Sequence, residues 1–148
     1  MKLLSTLTLL LIGINLASAE TTPSISVYRS PTCQCCEKWI EHLKQNNFNV
    51  DDHVTSELDE IKRKYQISAE LASCHTAFIG GYIIEGHVPA SDIKTLLTTN
   101  LPLAGISAPG MPAGSPGMEM GNKKDAYDVI GFDKYGHTEV FMHHPGSP

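Results

Sequence analysis

ISVYRSPTCQCCEKW, residues 25–39, sets a short alternating run in front of a cysteine cluster, and the order of the two decides the fold. Ile25 to Arg29 alternates as a strand does, and Ser30-Pro31-Thr32 breaks it. Three thiols in four positions follow, Cys33, Cys35 and Cys36, separated only by Gln34. From Cys35 to Asn46 the apolar Cys36, Trp39, Ile40 and Leu43 recur at i, i+3, i+4 and i+7. That is one face of a helix, with Glu37, Lys38, Glu41 and Lys44 on its wet side. A Cys-x-x-Cys pair, Cys33 to Cys36, therefore stands where a strand hands over to a helix. Free backbone N–H groups and the helix dipole favour a thiolate there. By the helical count Cys36 shares the buried face with Trp39, and Cys33 lies at the exposed end.

Working outward, Phe48 to Val54 alternates as a second strand, and its Asp51-Asp52 suits an edge better than a centre. Ser56-Glu57-Leu58-Asp59 has the Ser-x-x-acid form of a helix start, with Leu58, Ile61 and Tyr65 as the inward face. Ala77-Phe78-Ile79, Gly80-Gly81 and Tyr82-Ile83-Ile84 form the clearest hairpin signal in the chain. Pro89 follows, and Ser91-Asp92 opens a helix whose Ile93, Leu96 and Leu97 pack inward. Strand, helix, strand, helix, hairpin, helix is the thioredoxin-like layout, an α/β fold with a mixed sheet flanked by helices. From about residue 100 to 122 the composition shifts to Pro, Gly and Met without a period of either kind, the mark of a functional or disordered loop. Tyr127 to Phe132 and Thr138 to Met142 read as a terminal β-hairpin around Asp133-Lys134-Tyr135-Gly136.

Met1 to Ala19 has the form of a secretory signal: Lys2, an apolar run, and Ala17-Ser18-Ala19 as a small-x-small cleavage site. The run is interrupted by Thr6, Thr8, Gly13 and Asn15 and is shorter than a bilayer span. Cleavage leaves residues 20–148 as one thioredoxin-like metal-binding domain, with no membrane insertion afterwards and a periplasmic destination. The full chain carries a net charge of -5, and losing Lys2 makes the mature chain more acidic by one. Such a chain lacks the basic surface that nucleic acid or an anionic membrane requires, and is compatible with cations. Export also places its thiols in an oxidising compartment, where they pair or are held by a ligand.

Cys35 complicates a simple dithiol, because a third thiol beside Cys33 and Cys36 competes in every disulfide exchange. A soft metal benefits from it. The fourth sulfur, Cys74, lies in SCHTAF just before the hairpin, at the junction that in thioredoxin-like folds adjoins the dithiol and carries a proline. Here Cys74-His75 stands in that place, and no proline occurs between Pro31 and Pro89. By this fold analogy Cys74 faces the other three. Zinc accepts four sulfurs, but its structural sites generally use two Cys-x-x-Cys knuckles. An iron-sulfur cluster would need assembly after export. Cu(I) prefers thiolate and thioether and bridges crowded sulfurs, so copper fits best. Two structural disulfides remain a further reading of four cysteines.

His75, beside Cys74, and His87, in EGHVP, are candidate ligands, each set against a structural or capping role; Glu85 would orient either. Met111 and Met118, with Met120 in the same Pro/Gly loop, offer thioethers for weak, exchangeable Cu(I) contact. His42 and His53 read as surface residues. His137, Met142, His143 and His144 could recruit Cu(II) or form a solvated tail.

SPTCQCCEKW, ELASCHTAFIGGYIIEGHVP and PGMPAGSPGMEM together resemble the CopG-type periplasmic copper-resistance family, from about Ile25 to the terminal hairpin. The resemblance implies a thioredoxin-like fold and Cu(I) binding by Cys33, Cys35, Cys36 and Cys74. It also implies a role in exported copper homeostasis beside other periplasmic copper-handling proteins, and interconversion of Cu(I) and Cu(II). The alternative is a periplasmic thiol-disulfide oxidoreductase with Cys33 and Cys36 as its catalytic pair.

Overall fold

The computed structural model describes residues 22–147; the signal sequence read at Met1 to Ala19 lies outside them. The chain runs β1 (Ser24–Arg29), α1 (Gln34–Gln45), β2 (Asn49–Val54), α2 (Leu58–Lys64), β3 (His75–Ile79), β4 (Tyr82–Gly86), α3 (Ala90–Thr99), β5 (Gly105–Ala108), β6 (Tyr127–Phe132) and β7 (Thr138–His144). One seven-stranded mixed sheet results, in the order β2-β1-β3-β4-β5-β6-β7. The β1-β2 and β4-β5 pairs are parallel, as crossover helices α1 and α3 demand, and the remaining pairs are antiparallel.

Alternation along the strands divides the sheet into two faces. Ile25 and Val27, Ala77, Ile84, Ile106 and Val129 point to the face covered by α1 and α3, and they form the main core with Trp39, Leu43, Ile93 and Leu96. Ile83 and Phe132 point to the other face, where they pack with Leu71 in a smaller cluster. β2 is an edge strand, as its acidic pair implied, and most of its residues are exposed. Helix α1 buries Cys36, Trp39, Ile40 and Leu43, the four positions its period marks.

Three local expectations change in the folded chain. The stretch read as unbroken loop from about 100 to 122 contains β5, a fully buried strand between β4 and β6. Its four residues, Gly-Ile-Ser-Ala, are too few and too small to show a period. Gly105 is required there, since a Cβ would collide with the Ile83 carbonyl and come within 2.7 Å of the Phe132 ring. The terminal hairpin consequently joins the sheet through β5. The second difference is α2, which starts at Leu58 with no side-chain cap and buries none of its residues. Lastly, β7 continues two residues past Met142 and takes in His143 and His144.

Candidate metal centre

The strand-helix junction bends through a turn in which the Cys33 N–H donates to the Ser30 carbonyl (3.3 Å), and Cys33 then stands at the N-cap of α1. Arg29, buried at the end of β1, donates to both carboxylate oxygens of Asp52 on β2 (2.9 Å each) and pairs with Glu37 in the first turn of α1 (3.3 Å). A charge-assisted fork of this kind ties the helix start to two strands. Trp39 is fully buried, and its Nε1–H donates to the Val88 carbonyl (2.8 Å), which holds the β4-α3 connection against α1.

These ties bring four sulfurs together. Cys33, Cys35, Cys36 and Cys74 place their Sγ atoms within 4.8 Å of one another. Cys33 and Cys36 are joined as a disulfide, with Cys36 fully buried and Cys33 partly exposed. Cys35 and Cys74 are free thiols. Cys35 Sγ lies 3.4 Å from Cys33 Sγ and 3.9 Å from Cys74 Sγ. The fold analogy that put Cys74 opposite the cluster, across 38 residues of chain from Cys36, therefore describes the folded arrangement.

Two imidazoles complete the surroundings of Cys74. Cys74, His75 and His87 form a second group whose ligand atoms lie within 4.8 Å of one another. His87 Nδ1 faces the Pro116 carbonyl at 2.8 Å, and a carbonyl only accepts, so Nδ1 carries the proton. Nε2 is then the bare nitrogen, and it lies 3.1 Å from Cys74 Sγ, placed to accept the thiol proton or to ligate a metal. His75 presents Nδ1 at 3.4 Å from the same sulfur. Its ring packs against Trp39, with centroids 4.2 Å apart. Its buried Nε2 has no hydrogen-bond partner among the described residues.

Burial governs the protonation states. The Cys74 thiol is pushed up to about 12, first by desolvation and then by the neighbouring Cys35. It is therefore a thiol at neutral pH, and a metal bound there would displace its proton. Desolvation also holds His87 below the ordinary imidazole value and His75 well below it. Two neutral imidazoles and the free thiols of Cys35 and Cys74, joined by those of Cys33 and Cys36 once their disulfide is reduced, form a donor set suited to a soft cation, whereas hard cations want oxygen.

The Pro/Gly/Met segment lies on this centre. Gly117 sits at φ +84°, and a Cβ there would lie 2.8 Å from the Trp39 backbone nitrogen, 2.9 Å from the Cys35 carbonyl and 3.3 Å from His87 Nδ1. Only glycine lets the loop approach the cysteine helix this closely. Behind it a cavity of about 410 Å³ opens to solvent, lined by Cys33, Cys35, Lys38, Met118, Glu119 and Met120 among others. Met111 is exposed and lies outside that lining. A larger groove of about 840 Å³ on the opposite face has no cysteine or histidine in its lining.

The other histidines have separate duties. His42 is half-buried, and its Nε2 accepts the Ala90 N–H at the start of α3 (3.1 Å), a capping role its position on the wet side of α1 did not reveal. His53 pairs with Asp51 and stacks on Tyr28. His137, His143 and His144 pair singly with Asp133, Asp128 and Asp92. Glu85 accepts hydrogen bonds from Ser73, Thr76 and Lys62 and from no histidine. The placement of Pro116 and Gly117 on this centre was out of reach of the sequence, where Pro-Gly marks only a turn.

A family of proteins of unknown function, DUF411, matches residues 71–118, the span from Leu71 through the second half of the centre to Met118. Two solved structures of a copper resistance protein, copG, resemble the chain closely. Form 2 is 43% identical with a TM-score of 0.80, and form 1 is 45% identical with a TM-score of 0.79. Each comparison covers 83% of this chain and 98% of the other. Among the curated proteins none matches.

Proposed function

The chain belongs to the family of the copper resistance protein copG, and from that premise we propose that it is an exported copper-handling protein that binds Cu(I) through Cys33, Cys35, Cys36 and Cys74. The observation that carries the reading is the convergence of those four sulfurs within 4.8 Å. An external dithiol, itself oxidised to a disulfide, supplies the two electrons and two protons that open the Cys33–Cys36 bond, and the four thiols that result lose their protons as copper binds. His87, with its bare Nε2 on Cys74, and His75 supply nitrogen donors on the inner side. The cavity beside Cys33 and Cys35, with the thioethers of Met118 and Met120 at its rim, is the route by which a soft ion enters. The secretory form of Met1 to Ala19 supports export, and the acidic balance of the chain disfavours nucleic acid as a partner. Closing the Cys33 and Cys36 thiols to their disulfide releases two protons and two electrons, enough to reduce two Cu(II) to two Cu(I), and this couples the site to exchange between the two copper states.

Anaerobic titration of the reduced mature protein with Cu(I) against a competing chelator tests this. Tight uptake that falls in the Cys33→Ser, Cys35→Ser, Cys36→Ser and Cys74→Ser variants is expected. Failure of the parent protein to compete with the chelator would overturn the copper reading.

The Cys33–Cys36 disulfide at the start of α1 favours one second reading, a thiol-disulfide oxidoreductase. It requires turnover with a protein dithiol that persists when Cys35 and Cys74 are both serine. Copper binding requires the opposite dependence.

A further inference from the structure

Nothing in the β-ladder holds Cys74, which lies in a bend one residue before β3 begins. Its sulfur nevertheless closes both donor groups, the one with three cysteines and the one with two histidines. What fixes it comes from the other face of the sheet. Glu85 on β4 is fully buried and stands opposite Thr76 in the β3-β4 register. One carboxylate oxygen, Oε1, accepts the Ser73 N–H at 2.6 Å, and the other, Oε2, accepts the Thr76 hydroxyl at 2.7 Å. The two arms thus grip the residue before and the residue after the Cys74-His75 pair.

A buried carboxylate requires a counter-charge, and Lys62 on α2 brings its ammonium to Glu85 Oε1 and to Thr76 Oγ1, the latter at 2.9 Å. Next along β4, Gly86 at φ +75° lies so close to Ser73 that a Cβ would come within 2.6 Å of that side chain. The Ser73 hydroxyl in turn donates to the Gly110 carbonyl at 2.6 Å, where the methionine loop begins. Buried ion pairs seldom add net stability, and their best-attested use is to specify one arrangement among several.

We infer that Glu85, charge-balanced by Lys62, is a positioning residue that fixes the Cys74 sulfur through its simultaneous grip on Ser73 and Thr76. None of its hydrogen-bond partners is a cysteine or a histidine, so it acts through the backbone that carries Cys74. The consequence for copper rests on the function proposed above; the geometric claim stands without metal.

The test uses the reduced, metal-free mature protein and follows alkylation of each cysteine by iodoacetamide with mass spectrometry. Glu85→Ala is expected to speed modification of Cys74 about tenfold, the size of one lost charge-assisted hydrogen bond. Cys35, which Glu85 does not hold, should stay within about twofold of the parent. Glu85→Gln keeps a carbonyl acceptor for the Ser73 N–H and should restore most of the protection. Equal acceleration at Cys35 and Cys74, or none at Cys74, would overturn the inference. Should Glu85→Ala fail to accumulate, Thr76→Val removes a single arm and is expected to raise the Cys74 rate about threefold; no change there overturns the inference equally. In Cu(I) competition Glu85→Ala should lose affinity in step with Cys74→Ser. If Cys74→Ser itself keeps the parent affinity, Cys74 leaves the ligand set, and the alkylation rates decide the positioning role by themselves.

Discussion

At Cys74 a thiol pushed up to about 12 by burial faces the bare nitrogen of His87 at 3.1 Å, which is placed to take its proton. Replacing it with serine removes the sulfur shared by both donor groups. Cys74→Ser is expected to weaken Cu(I) binding by at least about tenfold in the chelator competition, since a hydroxyl is a poor ligand for a soft ion. Unchanged affinity would remove Cys74 from the ligand set. Trp39 offers an independent reading at the same scale. It is the only tryptophan in the chain, and its ring lies 4.2 Å from that of His75. Copper loading should therefore alter its fluorescence and saturate at the stoichiometry of the titration. A flat fluorescence trace across that titration would separate His75 from the site.

Between elements, the contact that matters most is the methionine loop against α1. Gly117 seats the loop on the Trp39 nitrogen and the Cys35 carbonyl, and Pro116 fixes the tautomer of His87. Gly117→Ala adds a methyl group at positive φ between two backbone atoms that cannot yield as a flexible side chain would. A loss of about 1–3 kcal/mol is expected, the usual cost of overpacking. Thermal unfolding measures that loss. Nitrogen NMR of the His87 ring should show the Nδ1 proton of the parent give way to a mixture of tautomers. A variant with parent stability and a single His87 tautomer would show that the loop does not set the ring.

For the whole molecule, the buried His75 and His87 and the half-buried His42 set the response to pH. Desolvation is the leading cause that holds His42, His75 and His87 below their ordinary value of 6.5. The unfolded chain takes up protons near pH 6.5, whereas the folded chain resists them, so the unfolded state binds more protons below that point. Stability of the metal-free protein is therefore full above about pH 6.5 and declines on acidification, each histidine contributing at most about 1.4 kcal/mol per pH unit. Glu85, raised by burial, acts in the opposite sense as pH rises from its unfolded value of about 4.3, which makes the combined descent shallower. Urea midpoints should hold level from pH 7.5 to about 6.5 and fall from there to about pH 5. A midpoint that rises on acidification would contradict this assignment.

Local pattern was enough to read most elements and half of the centre. The period of α1, the alternation of β1 and the Gly80-Gly81 turn depend on neighbours in the chain, so the Cys33-Cys35-Cys36 cluster at a helix start was legible from residues 25–46 alone. The acidic edge strand and the inward burial of Cys36 were legible for the same reason. Contacts across the sheet were not. β5 carries no period, and only its pairing with β4 and β6 makes it a strand. Cys74 reached the cluster in the sequence reading by fold analogy, because no local rule connects residues 38 apart. The tautomer of His87, the cap that His42 provides and the grip of Glu85 depend on which chain segments the strand order brings together. That order arises from burying two apolar faces of one sheet at once, a property of the whole chain that no short stretch of sequence contains.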